Sequence, residues 1–197
     1  MAANRIMRRR RVRRALVLGT VAVGLLTGLA GCGGGGDDGT TDRETDLGVL
    51  NEILARQLAA VDAYGAALPL LRGEQRALAR GFRAQEQEHV DATTKTLRGL
   101  DGEADPPAET IDADGLKTPD DALRFLYELE SATIDAELNA VARLTIAWPR
   151  PLLAAMAANQ AQRLVLIRRA LGAGPAESVP EAFETGETAA PEEMMPR

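Results

Sequence analysis

Between about residues 46 and 171 the apolar positions recur every three or four residues, the period of a helix stripe and not the alternation of a strand. Four helices are predicted. The first runs from about Asp46 to Leu68, with Leu47, Leu50, Leu54, Val61, Tyr64 and Leu68 on one stripe and Pro69 and Gly73 at its end. The second spans about Glu74 to Leu97 and stops at Gly99. A connection rich in proline, glycine and aspartate covers Asp101 to Leu116. Thr118-Pro119-Asp120-Asp121 then opens the third helix with an N-cap, a first-turn proline and acids at the positive helix end. Pro149 and Pro151 interrupt the chain before a fourth helix, about Leu152 to Leu171, which ends at Gly172. Two short connections around a long one predict an all-α antiparallel four-helix bundle of two helical hairpins joined by a long crossover.

Polar residues interrupt the inward stripes at one depth, and burying them costs free energy unless something compensates. Gln57 stands between Leu54 and Val61. Glu86 and His89 follow Phe82 at the spacing that puts both on one face. Glu130 follows Leu123 and Leu126, with Glu137 two turns on. Gln160 and Arg163 lie between Met156 and Ile167. The positions also repeat: Gln57 to Glu130 is 73 residues, and Glu86 to Gln160 and His89 to Arg163 are each 74, so the hairpins read as copies. The same offset aligns Tyr64 with Glu137, and Tyr64 reads as a core aromatic. Glu88 and Asp91 read as part of the solvated face, and Trp148 as a loop plug.

On these residues the region from Asp46 to Leu171 resembles the ferritin-like di-iron carboxylate bundles. That resemblance implies one Glu from each of two helices and a Glu-x-x-His pair from each of the other two, holding iron or manganese for oxygen chemistry. Glu130 matches one single-Glu position, and Glu86 with His89 matches one Glu-x-x-His pair. Gln57 stands where the other single Glu belongs, and Gln160 and Arg163 stand where the second pair belongs. Each Gln keeps the size of Glu and loses its charge, and Arg163 brings a permanent positive charge to the place of a metal. Two metals are therefore not expected. Arg163 is expected to serve as counter-ion, bridging Glu86 and Glu130, with Gln57 and Gln160 completing the hydrogen bonds. The alternative is a single Fe, Mn or Zn ion on Glu86, His89 and Glu130, with water completing the shell.

The ends of the chain add a location. Seven arginines, from Arg5 to Arg14, precede the apolar run Ala15 to Leu29 with no acid among them, which reads as a signal peptide over residues 1–31. The run is shorter than the roughly 20 residues that cross a bilayer. Leu29-Ala30-Gly31-Cys32 resembles the lipobox of bacterial lipoproteins, which implies cleavage before Cys32 and its acylation with palmitate-type chains on the extracytoplasmic face of the cell membrane. Arg13-Arg14-Ala15-Leu16 also resembles a twin-arginine signal, and the general and twin-arginine export routes both stay open. As the only cysteine, Cys32 has no intrachain disulfide partner. Residues 32–45 read as a flexible Gly/Asp/Thr linker and residues 172–197 as an acidic, proline-rich, disordered tail, from which Val179 and Phe183 could dock on the bundle.

Loss of residues 1–31 removes seven arginines and no acid, which takes the formal charge from −6 to −13. Such a surface excludes nucleic acid as a partner and leaves a protein or small molecule. The sequence offers no nucleophile with a base partner, no phosphate-binding glycine loop and no cysteine cluster. The function expected is a non-catalytic binding or scaffold module of the cell envelope, with a single-metal protein or oxidoreductase and a small-molecule carrier as alternatives. Mass spectrometry of the membrane-extracted chain is expected to find Cys32 as an acylated N-terminal residue; a free Cys32 thiol behind an intact leader would contradict the lipoprotein assignment.

Overall fold

The structure, a computed structural model, describes residues 38–180. The leader, Cys32 and Phe183 lie outside the described residues. Four helices follow in order: α1 (Asp38–Ala67), α2 (Gly73–Gly99), α3 (Pro119–Arg143) and α4 (Arg150–Ala170). Among the described residues no helix is long and apolar enough to cross a membrane.

Most helix ends fall where the sequence places them. Thr118 and Asp121 exchange side-chain and backbone hydrogen bonds in a capping box at the start of α3. Gly172, at φ +99°, closes α4 in the left-handed conformation that glycine adopts without strain. After Gly99 the chain turns through Asp101 at φ 52°, and Gly102 N–H returns to the Leu97 carbonyl at 2.9 Å.

The main departure is α1, which begins at Asp38 and takes in residues 38–45 of the expected linker. Those residues carry no apolar stripe, but contacts to other elements support them. Arg43 donates to the Asp101 carbonyl at 3.2 Å. Just beyond, the buried Asp46 carboxylate accepts from the backbone N–H groups of Thr145 and Ile146, both at 2.7 Å. The tail departs as well. Ala173 and Ser178 are buried, and Arg168 donates to the Val179 carbonyl at 3.3 Å, so the chain to Pro180 lies against the bundle while the Val179 side chain stays exposed.

Contacts fix the topology. Asp46 meets the end of α3, Glu52 pairs with Arg143, and Tyr64 near the end of α1 reaches Glu130 in the first half of α3, so α1 and α3 run antiparallel. The crossover follows α1: Asn51 bonds Glu103 and Asp105, and Arg56 pairs with Glu109 at 3.0 Å. Ile111 and Leu116 then pack on the core. The α1 residues Val49, Ile53, Ala60 and Ala63 are buried beside the predicted stripe, because this helix is covered by α2, α3 and the crossover together. Of the helix pairs in contact, α2 and α4 pack least closely.

Two apolar clusters form the core. One gathers Tyr64, Phe82, Leu126, Tyr127, Leu164 and Ile167, and the other Leu50, Leu54, Val90, Leu97, Leu153 and Met156. Each large side chain buried there contributes about 1.5–3 kcal/mol. Between the clusters lies a layer of polar side chains.

Candidate functional site: a polar layer across the bundle

Every helix feeds this layer, and the buried members are Gln57, Glu86, Glu130, Glu137, Gln160 and Arg163. Helical spacing explains the gathering. Glu86 sits one turn after Phe82, Glu130 one turn after Leu126, and Arg163 two turns after Met156, so the apolar stripes that pull the helices together carry the polar residues inward with them.

Arg163 is the hub. Its Nη1 donates both to Glu86 Oε1 and to Glu130 Oε1, the latter at 3.0 Å. Nε donates to Gln85 Oε1 at 3.0 Å and Nη2 to Asn159 Oδ1 at 2.7 Å. The guanidinium carbon lies 5.6 Å from the Phe82 ring centroid, within cation–π range. Tyr64 donates its hydroxyl proton to Glu130 Oε1. Gln160 Nε2 lies 3.4 Å from both Glu86 Oε1 and Glu137 Oε1. His89 is half-buried, with Nδ1 at 3.5 Å from Glu86 Oε1.

The environment sorts these groups by charge. Burial opposes ionisation of Glu86, but the contact with His89 and the charge of Arg163 outweigh it and hold the carboxyl below its ordinary range. Burial pushes Glu130 up to about 7 against the pull of Arg163. Burial, reinforced by the negative charge of Glu86, pushes Glu137 up to about 9. Tyr64 is raised well above its ordinary value, first by burial and then by Glu130, so its phenol keeps the proton that it donates. Burial works against the Arg163 charge, yet Glu130 and Glu86 hold the guanidinium protonated beyond its usual range. Glu86 with Arg163 is thus an ion pair, while Glu137 is a neutral acid at neutral pH.

Of the residues singled out in the sequence, Glu86, Glu130, Arg163 and Gln160 are brought into one connected cluster, and His89 touches it through Glu86. Gln57 joins through Glu137 and through Met156 Sδ, 3.4 Å from its Nε2. Glu88 and Asp91 are exposed, and Trp148, half exposed, lies over Gly99. Glu137 belongs to the cluster as fully as Glu130, and its register with Tyr64 was the available signal. Gln85 and Asn159 carry no such signal. They matter because they cap the guanidinium between α2 and α4, a tertiary relation that no motif announces.

A buried layer of carboxylates inside four antiparallel helices defines a carboxylate-type helical bundle. The chain belongs to the ferritin-like domain family, whose model matches residues 45–173. Two solved structures share the fold. A conserved hypothetical protein, rv2844, from Mycobacterium tuberculosis is 21% identical at TM-score 0.61, covering 72% of this chain and 99% of its own. A ferritin-like, diiron-carboxylate protein from Bacillus anthracis str. Ames is 20% identical at TM-score 0.55, covering 66% of this chain and 98% of its own. No match is found among curated proteins.

The residues present do not fit a dinuclear metal centre. The Arg163 guanidinium stands between Glu86 and Glu130, where a cation would bind, and uncharged Gln57 and Gln160 replace two carboxylates. Among the described residues no three Asp, Glu, His or Cys side chains converge as a ligand set.

A pH profile tests the protonation pattern. An unfolded carboxyl titrates near 4.5 and the folded Glu137 near 9, so in that window the folded state holds a proton that the unfolded chain has released. Stability therefore falls as pH rises through the window, and Glu130 adds to the fall up to about 7. Thermal melts across this range are expected to show that decline, and Glu137→Gln is expected to flatten its upper part. A wild-type profile that stays level would contradict a protonated Glu137.

Proposed function

We propose that the protein is a non-catalytic ferritin-like lipoprotein of the cell envelope, a binding or scaffold module held to the membrane through lipidated Cys32, in which an internal ion pair takes the place of the family's metals. One observation carries this reading: the Arg163 guanidinium donates to Glu86 and Glu130 at the centre of the bundle. A fixed positive charge among the carboxylates opposes the approach of Fe(II) or Mn(II), and each displaced hydrogen bond would have to be replaced. The lipobox-like Leu29-Ala30-Gly31-Cys32 and the acidic balance beyond it support an anchored module facing an extracytoplasmic partner, either protein or small molecule.

The scaffold reading has a direct chemical test. The full chain, purified without a histidine tag and exposed to Fe(II) and then Mn(II), is expected to show no stoichiometric metal by inductively coupled plasma mass spectrometry while remaining helical by circular dichroism. Near-stoichiometric metal that disappears on mutating Glu86, His89 or Glu130 would overturn it in favour of a single-metal protein or oxidoreductase.

A further inference from the structure

The polar layer and the apolar clusters account for the inward faces of the helices, and one outward face carries a charge pattern of its own. From Arg72, the N-cap residue of α2, the arginines Arg72, Arg76, Arg80 and Arg83 follow at steps of four, four and three residues, the spacing that stacks side chains into one ridge. All four are exposed. Arg76 Nε donates to the Leu68 carbonyl at 3.1 Å and Arg83 Nε to the Val61 carbonyl at 3.0 Å, so the ridge runs along the seam between α2 and the end of α1.

This row works against its own helix. Like charges four residues apart repel, and cations near the positive end of a helix are unfavourable. Elsewhere the surface pairs its arginines, Arg43 with Asp101, Arg56 with Glu109 and Arg143 with Glu52. Among the described residues none of the four ridge arginines is in an ion pair. The sequence explains why: from Val61 to Leu68 and from Arg72 to Arg83 the acids are Asp62 and Glu74 alone, and neither pairs with the ridge. An unbalanced ridge of this kind on an acidic chain calls for an anionic occupant.

We propose that the C-terminal segment, residues 181–197, docks on the Arg72–Arg83 ridge as an electrostatic latch. Charge selects this occupant, since the segment carries Glu181, Glu184, Glu187, Glu192 and Glu193 against Arg197 alone. Its point of departure is also suitable. Arg168 in the last turn of α4 holds the Val179 carbonyl, and Gln75 Nε2 bonds the Ala170 carbonyl at 3.5 Å, which sets the end of α4 beside the start of α2. At 1.5 Å per helical residue the ridge is about 17 Å long, and a segment of this length extends up to about 56 Å, enough to cross the end of the bundle and lie along the ridge. The ridge borders the end of α1 opposite Asp38, far from the end that leads back to Cys32, which disfavours a membrane surface as the occupant. Single surface ion pairs are weak, so the latch is the sum of several and opens as salt screens them.

The experiment reads the fluorescence anisotropy of a dye attached at Ala190→Cys in the full chain, with Cys32→Ser removing the other thiol. At about 10 mM salt, where charges act over about 30 Å, the docked segment is expected to tumble with the bundle and give a high anisotropy. At about 1 M, where that reach falls to about 3 Å, the high value is expected to be lost. Arg72→Glu combined with Arg80→Glu changes the two ridge side chains that make no hydrogen bond among the described residues. This variant is expected to give the low value at both salts while circular dichroism stays helical. Should it fail to fold, Glu181→Gln, Glu184→Gln and Glu187→Gln together read the same contact from the other side. A low anisotropy of the parent at low salt would overturn the proposal and leave the ridge to an anionic partner from outside the chain. A high anisotropy that survives high salt or the ridge variant would overturn it in favour of apolar docking through Phe183.

Discussion

The polar layer of this bundle is arranged around one positive charge, Arg163, that cannot be titrated away. A guanidinium buried among three carboxyl groups must be paired in full, since moving an ion out of water costs several kcal/mol that only close, well-directed partners offset. Arg163 meets that demand with five contacts drawn from three helices: Glu86 and Gln85 on α2, Glu130 on α3, and Asn159 on its own helix, with the Phe82 ring beneath. Because the partners come from different helices, sliding any one of them by a turn breaks the set. The ion pair thus penalises any shift of helix register that would leave its charges unpartnered.

The same constraint explains the asymmetry of the interior. Two hairpins that read as copies in sequence have diverged in charge: one contributes Glu86 and His89, the other Gln160 and Arg163. Where the copies meet, Tyr64 with Glu130 on one side corresponds to Gln57 with Glu137 on the other. A phenol that keeps its proton serves as donor on the first side, while on the second the Glu137 carboxyl accepts from the amides of Gln57 and Gln160. Membership of the ferritin-like family accounts for the scaffold, and the departures at Gln57, Gln160 and Arg163 account for how this member differs chemically.

Much of this was legible in the chain itself. The helix count, the crossover and the N-cap at Thr118 follow from apolar spacing and from local residue chemistry, both of which act within a few residues. The depth shared by Gln57, Glu86, Glu130 and Arg163 was legible because the repeat marks the same turn in each hairpin. What the sequence concealed depends on tertiary contact. The helix from Asp38 gains support from Asp101 and from the turn after α3, neither of which is near it in sequence. Glu137 could be placed on an inward stripe, but its neutral state requires knowing that burial and the charge of Glu86 outweigh the pull of Arg163. Gln85 and Asn159 became partners of Arg163 only when α2 and α4 were set side by side.

The central claim is that Arg163 is needed to compensate the Glu86 charge and to hold Glu130, and a mutant cycle read by chemical denaturation tests it most directly. Arg163→Met alone is expected to cost about 3–5 kcal/mol, since it leaves buried carboxylates uncompensated. Adding Glu86→Gln and Glu130→Gln to the same chain is expected to restore most of that loss. Losses that simply add across the three substitutions, or an Arg163→Met chain as stable as the parent, would contradict it.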